Sequence, residues 1–309
     1  MKILIYGAGV LGCNLAVNLL KTKHNITILA RNEWADNLEE NGLIIKSAFF
    51  PRKRKYRINI IRSLEENDYY DVIFVVLRYT QLDSIISNLN NNKSKNIVFV
   101  GNNLSCKKYE ELLNEKNIMF AFYMAVGHKD DERIVSFSMK KITIGQTKEK
   151  ESNQELINNI FDNSKIKARY ESNMEDYLLC HASYVLPIAF ACYYTDGNLK
   201  RIKRNKDYIN KIIKANIEGY KAIEDSGHEI LPNEDKDYNS KKFYKLCYRL
   251  YRLMFSTKIG KICVSDHSLN AVDEMSALNN ELKKLFSINN SKCESYYSLE
   301  NDAKKYSRN

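Results

Sequence analysis

The sequence predicts an α/β fold: a doubly wound parallel sheet in an N-terminal domain, followed by an all-helical C-terminal domain. Three observations carry that prediction. A glycine-rich turn joins a first apolar strand to a first helix within the opening twenty residues. Apolar runs of strand length then alternate with helical patterns as far as residue 163, the mark of a parallel sheet with crossover helices. From about residue 168 the strands stop and helical periodicity runs to residue 286. The expected domains are therefore 1–167 and 168–309.

The first element is Lys2-Ile3-Leu4-Ile5-Tyr6, rich in strand formers, which leads into Gly7-Ala8-Gly9-Val10-Leu11-Gly12. Leu11, Leu15, Ala16, Leu19 and Leu20 then repeat at helical spacing. Asn25 to Leu29 reads as a second strand, ending in Ala30-Arg31. Strand, G-x-G-x-x-G, helix, strand is the dinucleotide-binding pattern of a Rossmann-type domain. Gly7 permits the tight turn, Gly9 lets backbone approach a pyrophosphate, and Gly12 lets the helix lie close to the strand. The helix start adds N–H groups and a positive dipole end. Gly7, Ala8, Gly9, Val10, Leu11 and Gly12 are the expected cofactor cradle. An acid at the end of the second strand would hold the ribose 2′-OH of NAD. Arg31 stands there instead, and a guanidinium pairs with a 2′-phosphate. The expected cofactor is NADP(H). Glu33 reads as an acid in the first turn of the next helix.

The remaining elements follow in order. Residues 34–40 read as a helix closed by Asn41-Gly42, and 43–45 as a strand. The basic run 51–57 reads as a hairpin or loop. Asp71 to Leu77 is a continuous apolar strand of the doubly covered kind, ending in Arg78-Tyr79-Thr80-Gln81. A helix to Leu89 and a strand at 96–100 follow, the latter ending in Gly101-Asn102-Asn103. A helix over 107–115 and a strand at 118–123 come next. Arg133–Phe137 and Lys141–Gly145 read as two antiparallel strands, and 152–163 as a helix. The helical half comprises 173–193, 206–226, 240–255 and 267–286, with a polar, partly loose tail after Ser287. In an open parallel sheet, ligands bind at the carboxyl ends of the strands, where Gly7–Gly12, Arg31, Arg78, Gln81 and Asn102 all fall.

The 309 residues suit two domains, and 44% hydrophobic and 11% aromatic content supplies their cores. The seven cysteines are scattered, odd in number and without a C-x-x-C pair. That argues for reduced thiols in a cytoplasmic protein, with no disulfide and no metal site. A strand beginning at residue 2 leaves no room for a signal peptide. No apolar run is expected to span a membrane. The net charge of +10 suits an anionic cofactor and substrate; without a nucleic-acid motif, nucleic acid is not an expected partner. On 241–253, Phe243, Leu246, Cys247, Leu250 and Leu253 are expected to form a core-facing stripe with a solvated basic back.

These motifs together resemble the ketopantoate reductase (2-dehydropantoate 2-reductase) family. The resemblance rests on Gly7–Gly12 with Ala30-Arg31, and on Leu77-Arg78-x-x-Gln81 where the family has Val-Lys-x-x-Gln. It continues through Asn102-Asn103, which resembles the family's Asn-Gly, and Lys141–Gly145, which resembles its Ile-Thr-x-Gly segment. Its most specific part is Asp266, seven residues, Glu274, then Leu278-Asn279. The resemblance implies that NADPH delivers hydride to the ketone carbon of a small 2-keto acid, 2-dehydropantoate first among them, giving pantoate. It implies that Asn102 lies at the cofactor–substrate junction, Glu274 near both, Arg78 and Gln81 beside the cofactor phosphates, and Gly127 at a further cofactor contact. A homodimer is the expected assembly.

The chain departs from the family where the proton is given. The family's helix carries a lysine, an asparagine four residues later, then Asn-Pro. Anchored on Pro187, those positions are Leu178, Ala182 and Leu186 here, and the family's serine before the aspartate is Ile262. His181, on the same helix, is the expected replacement acid; the alternative is a histidine that only packs or caps. His267 is a second candidate beside Asp266, whose expected role is capping the helix that begins there. Two readings of function therefore stand: an active reductase, or a catalytically silent NADP(H)-binding relative acting as a redox sensor or scaffold.

Overall fold

The computed structural model describes residues 1–148, 150–257 and 260–306. The side chains of Cys263, Val264, Asp266, His267, Lys305 and Tyr306 lie outside the described residues, and with them the Asp266 cap and the His267 candidate. The chain divides into two units, Met1–Glu175 and Asp176–Asn309.

The N-terminal unit is built on one mixed sheet in the order β4-β3-β9-β8-β7-β6-β1-β2-β5, with β10 also paired to β9. Its central strands are β1 (Lys2–Tyr6), β2 (Asn25–Leu29), β6 (Val72–Val75), β7 (Asn96–Val100) and β8 (Asn117–Lys129). All five run parallel. Ile3, Leu4, Ile5 and every residue of β6 are fully buried, because helices cover both faces of a parallel sheet. Each such side chain stabilises by about 1.5–3 kcal/mol. The remaining strands are β3 (Leu43–Ser47), β4 (Lys53–Tyr56), β5 (Asn59–Ile61), β9 (Ile134–Gly145) and β10 (Lys167–Glu171). The helices are α1 (Val10–Leu19), α2 (Asn32–Asn41), α3 (Ile86–Asn91), α4 (Cys106–Leu112) and α5 (Gln154–Phe161).

A polar seam joins α1 to β8 and β9. The Asn14 amide donates to Ser136 Oγ at 3.0 Å, and the Asn18 amide to Tyr123 Oη at 3.3 Å. Asn14, Asn18 and Ser136 are buried, so each must find a partner, and the partners set how α1 lies on the sheet.

Two expectations need correction here. The predicted pair of strands at 133–145 is a single strand, β9, antiparallel to β8. Lys140 takes a left-handed φ of 53°, and the ladder shifts register between Tyr123 and Ala125. A bulge of this kind absorbs the polar stretch that looks like a turn in sequence. The basic run 51–57 forms the hairpin that is one of its two expected readings: Lys53–Tyr56 pairs antiparallel with β3 as an edge strand, and exposed cations suit an edge. The chain also enters a short 3-10 turn, Tyr79–Ile85, before α3.

The C-terminal unit is helical: α6 (Met174–Tyr194, which begins in the preceding unit), α7 (Lys206–Asp225), α8 (Lys241–Met254), α9 (His267–Asn270), α10 (Val272–Ile288) and α11 (Glu294–Tyr306). Against expectation, α6 is long and apolar enough to cross a membrane, with a mean hydropathy of 1.2. However, 72% of that window is buried in the protein, as in a core helix. Much of the described tail is helical: the α11 start is capped by Glu218, which accepts from the Ser295 and Tyr296 N–H groups at 3.1 and 3.0 Å. Tyr296 Oη donates to Asn279 at 2.8 Å. On α8 the stripe is rotated from the one expected. Phe243, Cys247 and Tyr251 are buried, while Leu246, Leu250 and Leu253 are 55%, 45% and 64% exposed.

Candidate cofactor cradle and active-site residues

The turn after β1 shows which glycines the fold itself requires. Gly7 has φ 125°, and a Cβ there would lie 2.4 Å from the Val76 carbonyl oxygen. Gly12 lies in the first turn of α1, where a Cβ would lie 2.0 Å from the Gly7 carbonyl oxygen. Only glycine lets helix and turn approach so closely. Gly9 differs. Its φ is −81°, open to any residue, and a Cβ there would meet nothing within 4 Å. Nothing in the protein demands a glycine at this position; an occupant lying against its backbone would. Gly9 also starts α1 without a side-chain cap, which leaves the first N–H groups of the helix to an anion. The residues present therefore fit a dinucleotide.

Beside the turn, the Ala8 carbonyl accepts from the Trp34 indole at 2.9 Å and from the Cys13 thiol at 3.4 Å. Burial pushes the Cys13 thiol up to about 12, with Lys129 pulling the other way, so the thiol stays neutral and unreactive. Arg31 closes β2 and precedes α2. It is exposed, its guanidinium donates to Tyr6 Oη at 3.1 Å, and it stands 5.9 Å from the Tyr6 ring centre.

After β6, the Arg78 N–H donates to Gln81 Oε1 at 3.2 Å and the Gln81 N–H to the Arg78 carbonyl at 2.9 Å. The Gln81 carboxamide thus closes its own turn, and the Arg78 side chain is exposed. After β7, Gly101 takes φ 133° and leads into Asn102, which is half-buried. The next residue is Asn103, which the resemblance includes only as the second half of the Asn102-Asn103 pair, with no site role. It is 2% exposed. Its Oδ1 accepts from the Ser105 N–H at 2.8 Å, while its Nδ2 has no protein partner among the described residues. A buried donor left open beside the cradle is a group a ligand can satisfy. Only its place beside Asn102 could have flagged it.

β7, β6, β1 and β2 are neighbours in the sheet, so Asn102, Arg78, the glycine turn and Arg31 share one edge. With strands about 4.8 Å apart, they span roughly 14 Å. The connections run opposite ways on the two sides of β1, which makes this edge the switch point where open α/β sheets bind ligands. Gly127 has a structural reason of its own: its φ is 153°, and a Cβ would lie 2.1 Å from the Val135 carbonyl oxygen across the ladder.

In the helical unit, α6 holds His181 half-buried. Leu178, Ala182 and Leu186 are 2%, 1% and 0% exposed, one face at i, i+4, i+8. Pro187 sits inside the helix. Glu274 lies in the first turn of α10 and is 6% exposed. It faces Tyr193 at the far end of α6. Burial pushes the Tyr193 phenol up, and Cys192, Asp273 and Glu274 push it further; its hydroxyl donates to the Ser268 carbonyl at 3.0 Å. A pocket of about 420 Å³ opens nearby, lined by Asp196, Asn198, Lys200, Thr257, Lys261 and Ser265 among others. Sequence reasoning did not mark it, because its residues come from three separate segments.

The family model described as "Ketopantoate reductase PanE/ApbA" matches residues 3–149. This supports the resemblance that the motifs carry, and the family is one of oxidoreductases. No curated protein matches the chain in sequence. Solved structures share the fold from end to end. A 2-dehydropantoate 2-reductase from Geobacter metallireducens superposes with a TM-score of 0.78 at 13% identity, covering 99% of each chain. D-mandelate dehydrogenase, solved with NADH and anilino(oxo)acetate, has a TM-score of 0.78 at 13% identity, over 99% of this chain and 98% of that one. A dimeric ketopantoate reductase from Staphylococcus aureus has a TM-score of 0.70 at 12% identity, over 100% and 99%.

Proposed function

We propose that this chain is a cytoplasmic, NADPH-dependent reductase of a small 2-keto acid, with 2-dehydropantoate the first candidate substrate and a homodimer the working assembly. The observation that supports the reading is the pair Gly12 and Gly9: the fold needs the first, and it leaves open space beside the second, which a bound dinucleotide would fill. Gly7 to Gly12 hold the pyrophosphate and Arg31 the 2′-phosphate, Arg78 and Gln81 lie beside these phosphates, and Gly127 makes a further contact. A bound nicotinamide supplies the hydride for the carbonyl carbon. Asn102 orients the reacting carbonyl, Glu274 contacts substrate and cofactor, and His181 gives the proton to the developing alkoxide.

A second reading is favoured by one specific observation. The family's lysine and asparagine positions are the buried apolar face Leu178, Ala182 and Leu186. A chain so altered could bind NADP(H) without turnover, as a sensor or scaffold. Turnover of any keto acid excludes that reading.

Cofactor choice is tested at Arg31. Arg31→Asp is expected to weaken NADPH binding by about 1–3 kcal/mol, the scale of a charge-assisted bond, and to change NADH binding little. Equal losses for the two cofactors, read by calorimetry, would remove Arg31 from the 2′-phosphate.

A further inference from the structure

The side of the cradle that Arg31 occupies holds a second cation, from an element far away in sequence. Trp34 follows Arg31 by three residues, in the first turn of α2. Its indole N–H on the Ala8 carbonyl, at 2.9 Å, fixes the ring against the glycine turn. Lys129, at the end of β8, places its ammonium 4.8 Å from the centre of that ring. This is a cation–π seat. The same charge is felt at the Cys13 thiol in the first turn of α1, so Lys129 stands beside both helix starts. It is exposed and has no ion-pair partner among the described residues. Its neighbour Asp130 is taken by Arg133 at 2.8 Å.

Arg31 thus ends β2 with its guanidinium on Tyr6, and Lys129 sits over the ring of Trp34, three residues further on. The ribose of a dinucleotide bound in this pattern lies at that strand end. The group present there in NADP(H) and missing in NAD(H) is a dianionic phosphate, which one guanidinium neutralises only in part. Arg31 offers a planar fork and Lys129 a compact charge on a flexible stem that can swing from the ring to the phosphate. We propose that Lys129, seated on Trp34, is the second cation of the 2′-phosphate site and shares with Arg31 the selection of NADP(H) over NAD(H). This rests on the reading of the chain as an NADP(H)-binding protein.

The test is calorimetric titration of the ligand-free full-length protein with NADPH, NADH, adenosine 2′,5′-bisphosphate and 5′-AMP. Lys129→Gln is expected to weaken NADPH and the bisphosphate at least tenfold and to leave NADH and 5′-AMP unchanged. Lys129→Arg should keep most of the wild-type preference. Trp34→Leu should weaken the same two ligands by a smaller factor, since the lysine stays but loses its seat. If Lys129→Gln retains the full preference for NADPH shown by the wild type, the assignment is overturned while the cofactor reading stands. A uniform loss over all four ligands places Lys129 elsewhere on the cofactor and also overturns it. If the wild type shows no preference for NADPH, the cofactor reading itself fails. An unchanged thermal unfolding midpoint for Lys129→Gln, expected because the side chain is exposed, keeps these outcomes distinct from misfolding.

Discussion

Gly9→Ala is expected to fold as the wild type does and to lose NADPH binding at least about a hundredfold, or ~2.7 kcal/mol. The two halves of that expectation have separate causes. With φ −81° and nothing within 4 Å of the added Cβ, alanine adopts the backbone without strain and touches no protein atom. The methyl group does occupy the space a pyrophosphate would use. Gly12→Ala gives the opposite pattern. Its Cβ would sit 2.0 Å from the Gly7 carbonyl oxygen, so the helix must shift, and overpacking costs about 1–3 kcal/mol of stability or more. Thermal unfolding and cofactor titration on the two variants separate a structural glycine from a ligand-facing one. Retention of NADPH binding by Gly9→Ala would show that the turn is not a pyrophosphate cradle.

The second large effect is expected at His181. Reduction of a ketone leaves charge on oxygen, which needs a donor within hydrogen-bond reach. Leu178, where the sequence resemblance puts the family's lysine, is buried and apolar, and His181 is half-buried one helical turn further on. His181→Ala should lower kcat roughly 10²-fold or more, the usual worth of a positioned general acid, and leave NADPH affinity nearly unchanged. The wild-type rate should fall as pH rises, because the protonated imidazole donates, and the variant should lose that dependence. A variant that keeps both its rate and the pH profile of the wild type would move the proton to Tyr177 or to water.

Much of the N-terminal unit is legible in the sequence because its signals are local. A buried parallel strand announces itself as an apolar run, as in Val72–Val75 and Ile97–Val100, and the glycine turn announces itself by spacing. What was missed depends on partners distant in sequence. β9 reads as two strands because Ser138, Lys140 and Lys141 are polar, and only pairing with β8 on both sides of the bulge at Lys140 joins them. The helix α11 looked like a loose tail because its anchors are polar: Glu218 at its start and Asn279 under Tyr296. On α8 the apolar positions were found, but the packing rotated the helix so that Cys247 and Tyr251 face inward and Leu250 outward. At the site, Arg31 and the glycines follow from pattern. Asn103, Trp34 and Lys129 do not, since a buried amide without a partner and a lysine over an indole exist only in three dimensions.

The central claim is reduction of a small 2-keto acid by NADPH. It is tested most directly by mixing the purified protein with NADPH and a panel of 2-keto acids, 2-dehydropantoate and aryl keto acids among them, and following loss of the nicotinamide absorbance. The account predicts steady turnover on at least one small aliphatic member, with NADPH preferred to NADH. Tight NADPH binding with no oxidation on any member of the panel would contradict it and leave the silent-binder reading in its place.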